Sequence, residues 1–573
     1  MTILTKALSP KTAKILILYL LFLSVLELLA YNIGRMFSIA ASHLWLVTAL
    51  LCSLLLLVTA IRTFIADIRN RKLFLPVAFL LLLALFCAKI GTLGYSDISY
   101  EAALQVAAGL DSFQASDLNY TGVAFLDYAN RQYVLNALPA LLLGRSVFTL
   151  HLGFAYPFLM GMTLLYLELR TRLREENIRE EYALLPLYAL PVFPFITEYF
   201  MNFEQTLTPV AFTMLGLSLL LRFYRKRDIA GILSLSFVGG MCCNSYTPVL
   251  AFFGFLLVFL SLWGIRTMYS VRKSLTAPGH RALLWQILLC FSLVLQLLCY
   301  FFATLGTRQK DMITTLKPEL SLITDTFTSW FDFFTDRHAL FWGIWLFPVL
   351  LYLFFSLTGL LRLHHFLVAG WMLLTVFFSG TLAGYTTYAK AHEIQRNMLI
   401  IPVFVTAFFL AAACYFKLHP VRLPRFVLPL GLAALLLLGQ FNFCREHHSF
   451  TYYRYIQSMK YMLAYTEELL DDAGLSNTDH FRLILLTDNS LLSNLSDYTS
   501  FFYTEAEVFV ASPEEFTAGN LPESGSSLPT LIFCESLPLP GNNNYSIISQ
   551  SFENKRYHST ITWYCLLPEQ NTN

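Results

Sequence analysis

Apolar residues fill the first three quarters of the chain in runs of about 20, broken by short polar stretches. A helix of that length covers the hydrocarbon layer of a bilayer. About 13 spanning helices are predicted, at roughly 14–34, 44–65, 73–93, 147–168, 182–198, 207–224, 229–245, 247–265, 283–305, 339–361, 366–385, 397–416 and 426–442. Beyond 444 the pattern changes. A helical pattern over 452–472 gives way to short strand-like runs at 481–487, 507–511, 531–534, 545–549 and 560–566, separated by turn residues. The expected fold is an all-α polytopic membrane protein with a small C-terminal extracytoplasmic α/β domain. It divides into two N-terminal helices (1–72), a transmembrane module with large outer loops at 94–146 and 306–338 (73–443), and a soluble domain (444–573) with enough chain for its own core.

Composition agrees. Of 573 residues, 56% are hydrophobic and only 13% charged, against about 25% charged in soluble domains. The net charge of +2 says little, because its distribution matters more. With the N-terminus inside, 23 of the 39 Lys and Arg residues fall on inner segments, 10 in outer loops and 6 in the tail. That bias is the positive-inside rule, and an odd number of spans puts the tail outside. Carboxylates run the other way, 13 in outer loops against 7 in inner ones. The first apolar run follows Lys6, Lys11 and Lys14 and is long enough to stay as an anchor. Of ten cysteines, Cys534 and Cys565 stand apart in the polar tail; two buried strand cysteines fit them better than a disulfide. No cysteine pair has metal-ligand spacing.

Missing motifs narrow the chemistry. No Gly is followed by Lys, so there is no Walker A loop. No Asp-x-Asp occurs to hold a metal for a nucleotide-sugar transferase, and His392-Glu393 is followed by Ile394-Gln395-Arg396, which breaks the zinc-protease pattern. What remains is a constellation on the outer side. Asp97 follows the third span in Gly94-Tyr95-Ser96-Asp97, and Glu101 stands one helical turn later. Glu198 and Glu204 flank a short hairpin. Arg131 and Arg145 flank an apolar helix read over 130–143 at the membrane interface. Arg308 and Lys310 open the second large loop, and Lys390, His392, Glu393 and Arg396 precede a late span. A carboxylate beside cations is the equipment for taking a proton from a hydroxyl while neutralising a departing phosphate. The structural readings are a solvated helix start at Asp97, a solvent-marked hairpin at Glu198 and Glu204, surface groups at Lys390 and His392, and an interfacial anchor at Arg396. The aromatic patch Trp330-Phe331-Asp332-Phe333-Phe334 reads as an aromatic belt before a lipid groove.

From 73 to 416 the order of these features resembles the polytopic GT-C glycosyltransferases, the class that includes protein O-mannosyltransferases and the aminoarabinose transferases of lipid A. The carriers are the span ending in Asp97, the long loop closing on Gln132-Tyr133-Val134-Leu135-Asn136-Ala137-Leu138-Pro139 and Gly144, and the span opening Ser146-Val147-Phe148-Thr149. Further along come the Pro-rich Leu190-Pro191-Val192-Phe193-Pro194, the hairpin Asn202-Phe203-Glu204-Gln205-Thr206-Leu207-Thr208-Pro209, and Arg396-Asn397-Met398-Leu399-Ile400-Ile401-Pro402. The resemblance implies a site at the outer face, a polyprenyl-phosphate sugar donor, and inverting transfer without a nucleotide. It implies Asp97 as base, Glu204 on the acceptor or metal side, with Glu101 as its neighbour, and Arg396 near the donor phosphate. Arg131, Arg308, Lys310, Lys390 and His392 complete the expected phosphate-binding set.

The chain departs from the resemblance in two ways. Ile98 follows Asp97 where many members carry paired acids, and spans 1 and 2 precede the module. Members differ in their use of a divalent metal, and no metal ligand is assigned. Expected partners are membrane lipids, the lipid-linked donor and a glycan, lipid or protein acceptor, with no nucleic acid. In an inverting displacement Asp97 and the cations should stand about one sugar apart, on the order of 6–9 Å. Two other readings are a lipid-linked glycan polymerase or ligase, leaning on Arg131 and Arg396, and a non-catalytic transporter or scaffold. The scarcity of mid-span charges and of paired broken helices counts against a transporter.

Overall fold

A computed structural model of the chain describes 10–33, 35–72, 131–184, 277–305, 480–486, 505–512, 530–535, 545–554 and 559–568 as continuous stretches, with single positions near 76–80, 106–110, 208–221, 262–269, 406–434, 502–503 and 514. These residues form helices α1 (Pro10–Ile33), α2 (Arg35–Arg69), α3 (Arg131–Leu143), α4 (Val147–Glu175) and α5 (Ala277–Leu305), a 3-10 turn (Glu180–Ala183), and strands β1 (Phe481–Leu486), β2 (Ala506–Ala511), β3 (Thr530–Glu535), β4 (Tyr545–Asn554) and β5 (Ser559–Pro568).

Two helices exceed their apolar runs for local reasons. The connection expected at 35–43 is helical, so α2 starts one residue after α1 ends. The pair is an antiparallel hairpin, with Thr48 Oγ1 donating to the Tyr19 hydroxyl at 2.9 Å. At its other extreme α4 continues to Glu175 through a basic turn whose arginines find carboxylate partners.

α5 lies along α1 in parallel. Lys14 Nζ sits 5.1 Å from the centre of the Trp285 ring, and Gln296 Nε2 donates to Ser24 Oγ. The outward faces of both helices are apolar, with Ile15, Leu18, Phe22, Val25 and Leu29 on α1 and Leu284, Ile287, Phe291, Val294 and Leu298 on α5. These positions alternate by three and four residues, one face of a helix. Large apolar faces of this kind suit a hydrocarbon surrounding rather than water. α4 differs, since Phe154, Phe158, Leu165 and Leu169 are fully buried. Among the described residues its stretch Phe148–Glu175 is the one helix long and apolar enough to cross a bilayer.

In the tail all five strands fall where alternation predicts them, with the last two longer by several residues. The strand order is β2-β1-β3-β5-β4. β1 pairs in parallel with β2 and β3, while β5 is antiparallel to both β3 and β4. Every residue of β1 is buried, as expected for a strand flanked on both sides in a parallel region. Arg482, 7% exposed, is accommodated there by Glu507, 3.2 Å away, and by the ring of Phe509. Cys534 stands opposite Tyr564 and Cys565 opposite Phe533.

Candidate functional site

Of the residues predicted to carry chemistry, Asp97, Glu101, Glu204, Arg308, Lys310, Lys390, His392 and Arg396 lie outside the described residues. Arg131 opens α3, with its backbone described and its side chain not. Among the described residues no three His, Cys, Asp or Glu side chains gather around one point that a metal could occupy. The structure does describe the two ends of α4.

The C-terminal end of α4 is an ion network. Arg170, 2% exposed, presents Nη1 and Nη2 to the two carboxylate oxygens of Asp67 at the end of α2. Its Nε donates to Glu180 Oε2 at 2.9 Å. Glu180 also accepts from Arg174 Nε and Nη2, each at 2.8 Å, and from Lys72 Nζ at 2.7 Å. Burial pushes the Glu180 carboxyl up, but the bonds from Arg174, Lys72 and Arg170 outweigh it and hold the group well below the usual carboxylate range. Next to it, Glu176 accepts from Lys417 Nζ at 2.5 Å and pairs with Arg172 at 3.3 Å. There too burial acts upward, and the Lys417 bond with the Arg172 charge leaves the carboxyl lowered. Three segments expected on one side of the membrane, 67–72, 170–181 and 417–425, therefore meet at one end. Asp67, Glu176 and Glu180 each face at least one cation here.

The N-terminal end of α4 has Arg145 beside its cap, and the described bonds that join it to α3 are between neutral groups. Gly144, at φ 88°, closes α3 with its N–H on Ala140 O at 3.0 Å; the left-handed backbone suits glycine. Two residues on, Ser146 caps α4, accepting from Thr149 N at 3.1 Å and donating its own N–H to Thr149 Oγ1 at 2.9 Å. This tight turn folds α3 back onto α4. Val134 through Ala140 are all buried, so α3 packs against protein along most of its length, and only Leu141, Leu142 and Leu143 expose apolar surface. The contact is close because Gly153 has no side chain: a Cβ there would stand 2.2 Å from Asn136 O.

Two further bonds fix α3. Asn136 Nδ2 donates to Thr208 Oγ1 at 3.1 Å, and the Tyr156 hydroxyl donates to Leu135 O at 2.6 Å. Thr208 belongs to a helical group that also meets α4 at Gly161, where a Cβ would stand 2.7 Å from Ala211 O. Thr208 lies four residues after Glu204, and α3 starts at Arg131.

α2 and α4 end together, so α3 and Thr208 are at the far end of α4. The joint at Gly153 and Tyr156 is 14 to 17 residues from Arg170, about 21–26 Å along the helix. The sequence reading missed Asp67, Arg170 and Glu180, which sat among loop charges, and it missed Tyr156. Pro139 inside a predicted helix was the available signal for Tyr156, since a proline leaves the carbonyl four residues earlier without its donor.

No protein-family model matches the chain, and no curated protein matches it. Among solved structures it is similar to ArnT from Cupriavidus metallidurans in the apo state, at 12% identity and a TM-score of 0.43 over 87% of this chain and 98% of that one. The same protein bound to undecaprenyl phosphate gives 12% identity and 0.41, over 86% and 97%. The Archaeoglobus fulgidus oligosaccharyltransferase in complex with zinc and sulfate gives 13% and 0.34, over 67% and 54%. They are GT-C membrane glycosyltransferases, the class the sequence resembles.

Proposed function

We propose that the chain is an inverting membrane glycosyltransferase that moves a sugar from a polyprenyl-phosphate donor to an acceptor hydroxyl at the outer face. The observation that carries this reading is the order of sequence features around Asp97. A span ends in an isolated carboxylate, a long outer loop closes on the helix at Arg131, and a Glu-bearing hairpin and an Arg-led span follow. The two ends of α4 support it. The described ion pairs lie at the basic end of α4, the one expected inside, so the expected outer end is the one where α3 joins. The N-terminus is then cytoplasmic and the tail domain extracytoplasmic.

In this mechanism the Asp97 carboxylate takes the acceptor O–H proton. The freed oxygen forms a bond to the anomeric carbon as the bond from that carbon to the phosphate oxygen breaks, inverting the centre. The electron pair leaves with polyprenyl phosphate, whose charge Arg131, Arg308, Lys310, Lys390, His392 and Arg396 neutralise. Glu101 and Glu204 serve the acceptor side. Asp97→Asn keeps the shape and removes the base. It is expected to lower transfer by about 10²–10⁴-fold in membranes that contain the protein at unchanged yield. Full transfer in that variant would refute the mechanism.

A further inference from the structure

α3 carries its own defect and is repaired from α4. Pro139 lies inside the helix and has no N–H, so the carbonyl of Leu135, four residues earlier, loses its helical donor. That carbonyl lies in a buried stretch, where an unmet oxygen is costly. The Tyr156 hydroxyl reaches across and donates to it at 2.6 Å. Gly153, one turn earlier on α4, clears the space for the approach.

We propose that Tyr156 is a positioning residue: by supplying the hydrogen bond that Pro139 removes, it seats α3 on α4 and so fixes Arg131 and the closing end of the first large outer loop. This rests on the reading that Arg131 meets the donor phosphate. The bond is interchangeable in principle. An alanine at 139 would restore the helix's own donor and make the hydroxyl redundant, which a general packing role for the tyrosine would not allow.

The test uses the full-length protein in detergent, with undecaprenyl phosphate as the probe. Amide exchange is followed over 131–143, and both Kd and the bound fraction are measured. Tyr156→Phe, which loses only the hydroxyl, is expected to speed exchange in α3 by about ten-fold. It is also expected to weaken Kd several-fold with the bound fraction unchanged, whereas simple loss of folded protein would lower the fraction and leave Kd alone. Pro139→Ala alone should behave like the parent, and Tyr156→Phe with Pro139→Ala should recover both readouts. Unchanged exchange in Tyr156→Phe, or failure of the double variant to recover, overturns the proposal. If exchange responds and recovers while Kd stays put, or the parent itself does not bind undecaprenyl phosphate, the seat stands and the donor-phosphate role of Arg131 falls.

Discussion

The two ends of α4 are held by opposite kinds of interaction. At the basic end, Arg170, Arg174 and Lys72 converge on Asp67 and Glu180, and two of these groups, Arg170 and Asp67, are almost wholly buried. At the other end, beside Arg145, a glycine, a tyrosine hydroxyl and an Asn–Thr bond join α3 to its neighbours. Buried charges are stable only with their partners in place, so the first arrangement tolerates very little movement. Neutral hydrogen bonds each contribute about 1 kcal/mol and can be remade through water. The contrast gives a helix held by charged groups at one end and joined by uncharged ones at the other.

The largest effect should come from breaking the clamp by half. Arg170→Gln leaves Asp67 buried without its guanidinium and should destabilise the protein by about 3–5 kcal/mol. Thermal unfolding in detergent measures this, and Asp67→Leu together with Arg170→Met should recover more than half. An additive pair of losses would mean that the two side chains are not coupled. A smaller effect, about 1–3 kcal/mol, is expected for Gly153→Ala at the α3 end. Its Cβ has no place 2.2 Å from Asn136 O, so α3 must shift; faster proteolysis near 131–143 with α1 and α2 unaffected would show it.

The smallest effect near neutrality is a difference in acid response. Glu180 has its carboxyl depressed in the folded state. Its contribution is therefore complete above the unfolded carboxylate range and is lost as pH falls toward the lower folded value. Stability should be level from pH 8 to about 5 and fall below about 4.5, and Glu180→Gln should flatten that acid limb. The α3 end has no described carboxylate in its joint, so exchange over α3 should follow only the global loss. An early, separate loosening of α3 in acid would blur the distinction between the ends.

Legibility in the sequence follows the same division. Runs of apolar residues announce a span, and α1, α4, α5 and every strand of the tail lie where periodicity puts them. Alternation locates β4 and β5 but not their full length, because Ser549 to Asn554 are mostly polar yet keep the backbone pairing with β5. The connection between α1 and α2 was misread for a related reason: Ser38, Ser42 and His43 look like loop residues but continue a helix. Ion partners are harder still. Asp67 and Arg170 are 103 residues apart, and nothing local tells a charge that will be buried from one that will face water. Of the candidate site, residue types and order are legible in the sequence, while convergence is a matter of tertiary distance that no local pattern encodes.

The parallel contact between α1 and α5 has a consequence for biosynthesis. Ser24 on α1 and Gln296 on α5 are separated by 272 residues. At about 5–20 residues per second a ribosome takes roughly 15–50 s to make the second after the first. Through that interval α1 must wait in the bilayer with a hydroxyl on the face that α5 will cover. The Ser24 hydroxyl donates to Leu20 O one turn back, at 2.7 Å, a bond available to the helix alone. The first helix can thus be stored in lipid with its hydroxyl already bonded, and the same oxygen accepts the Gln296 amide when the late partner arrives.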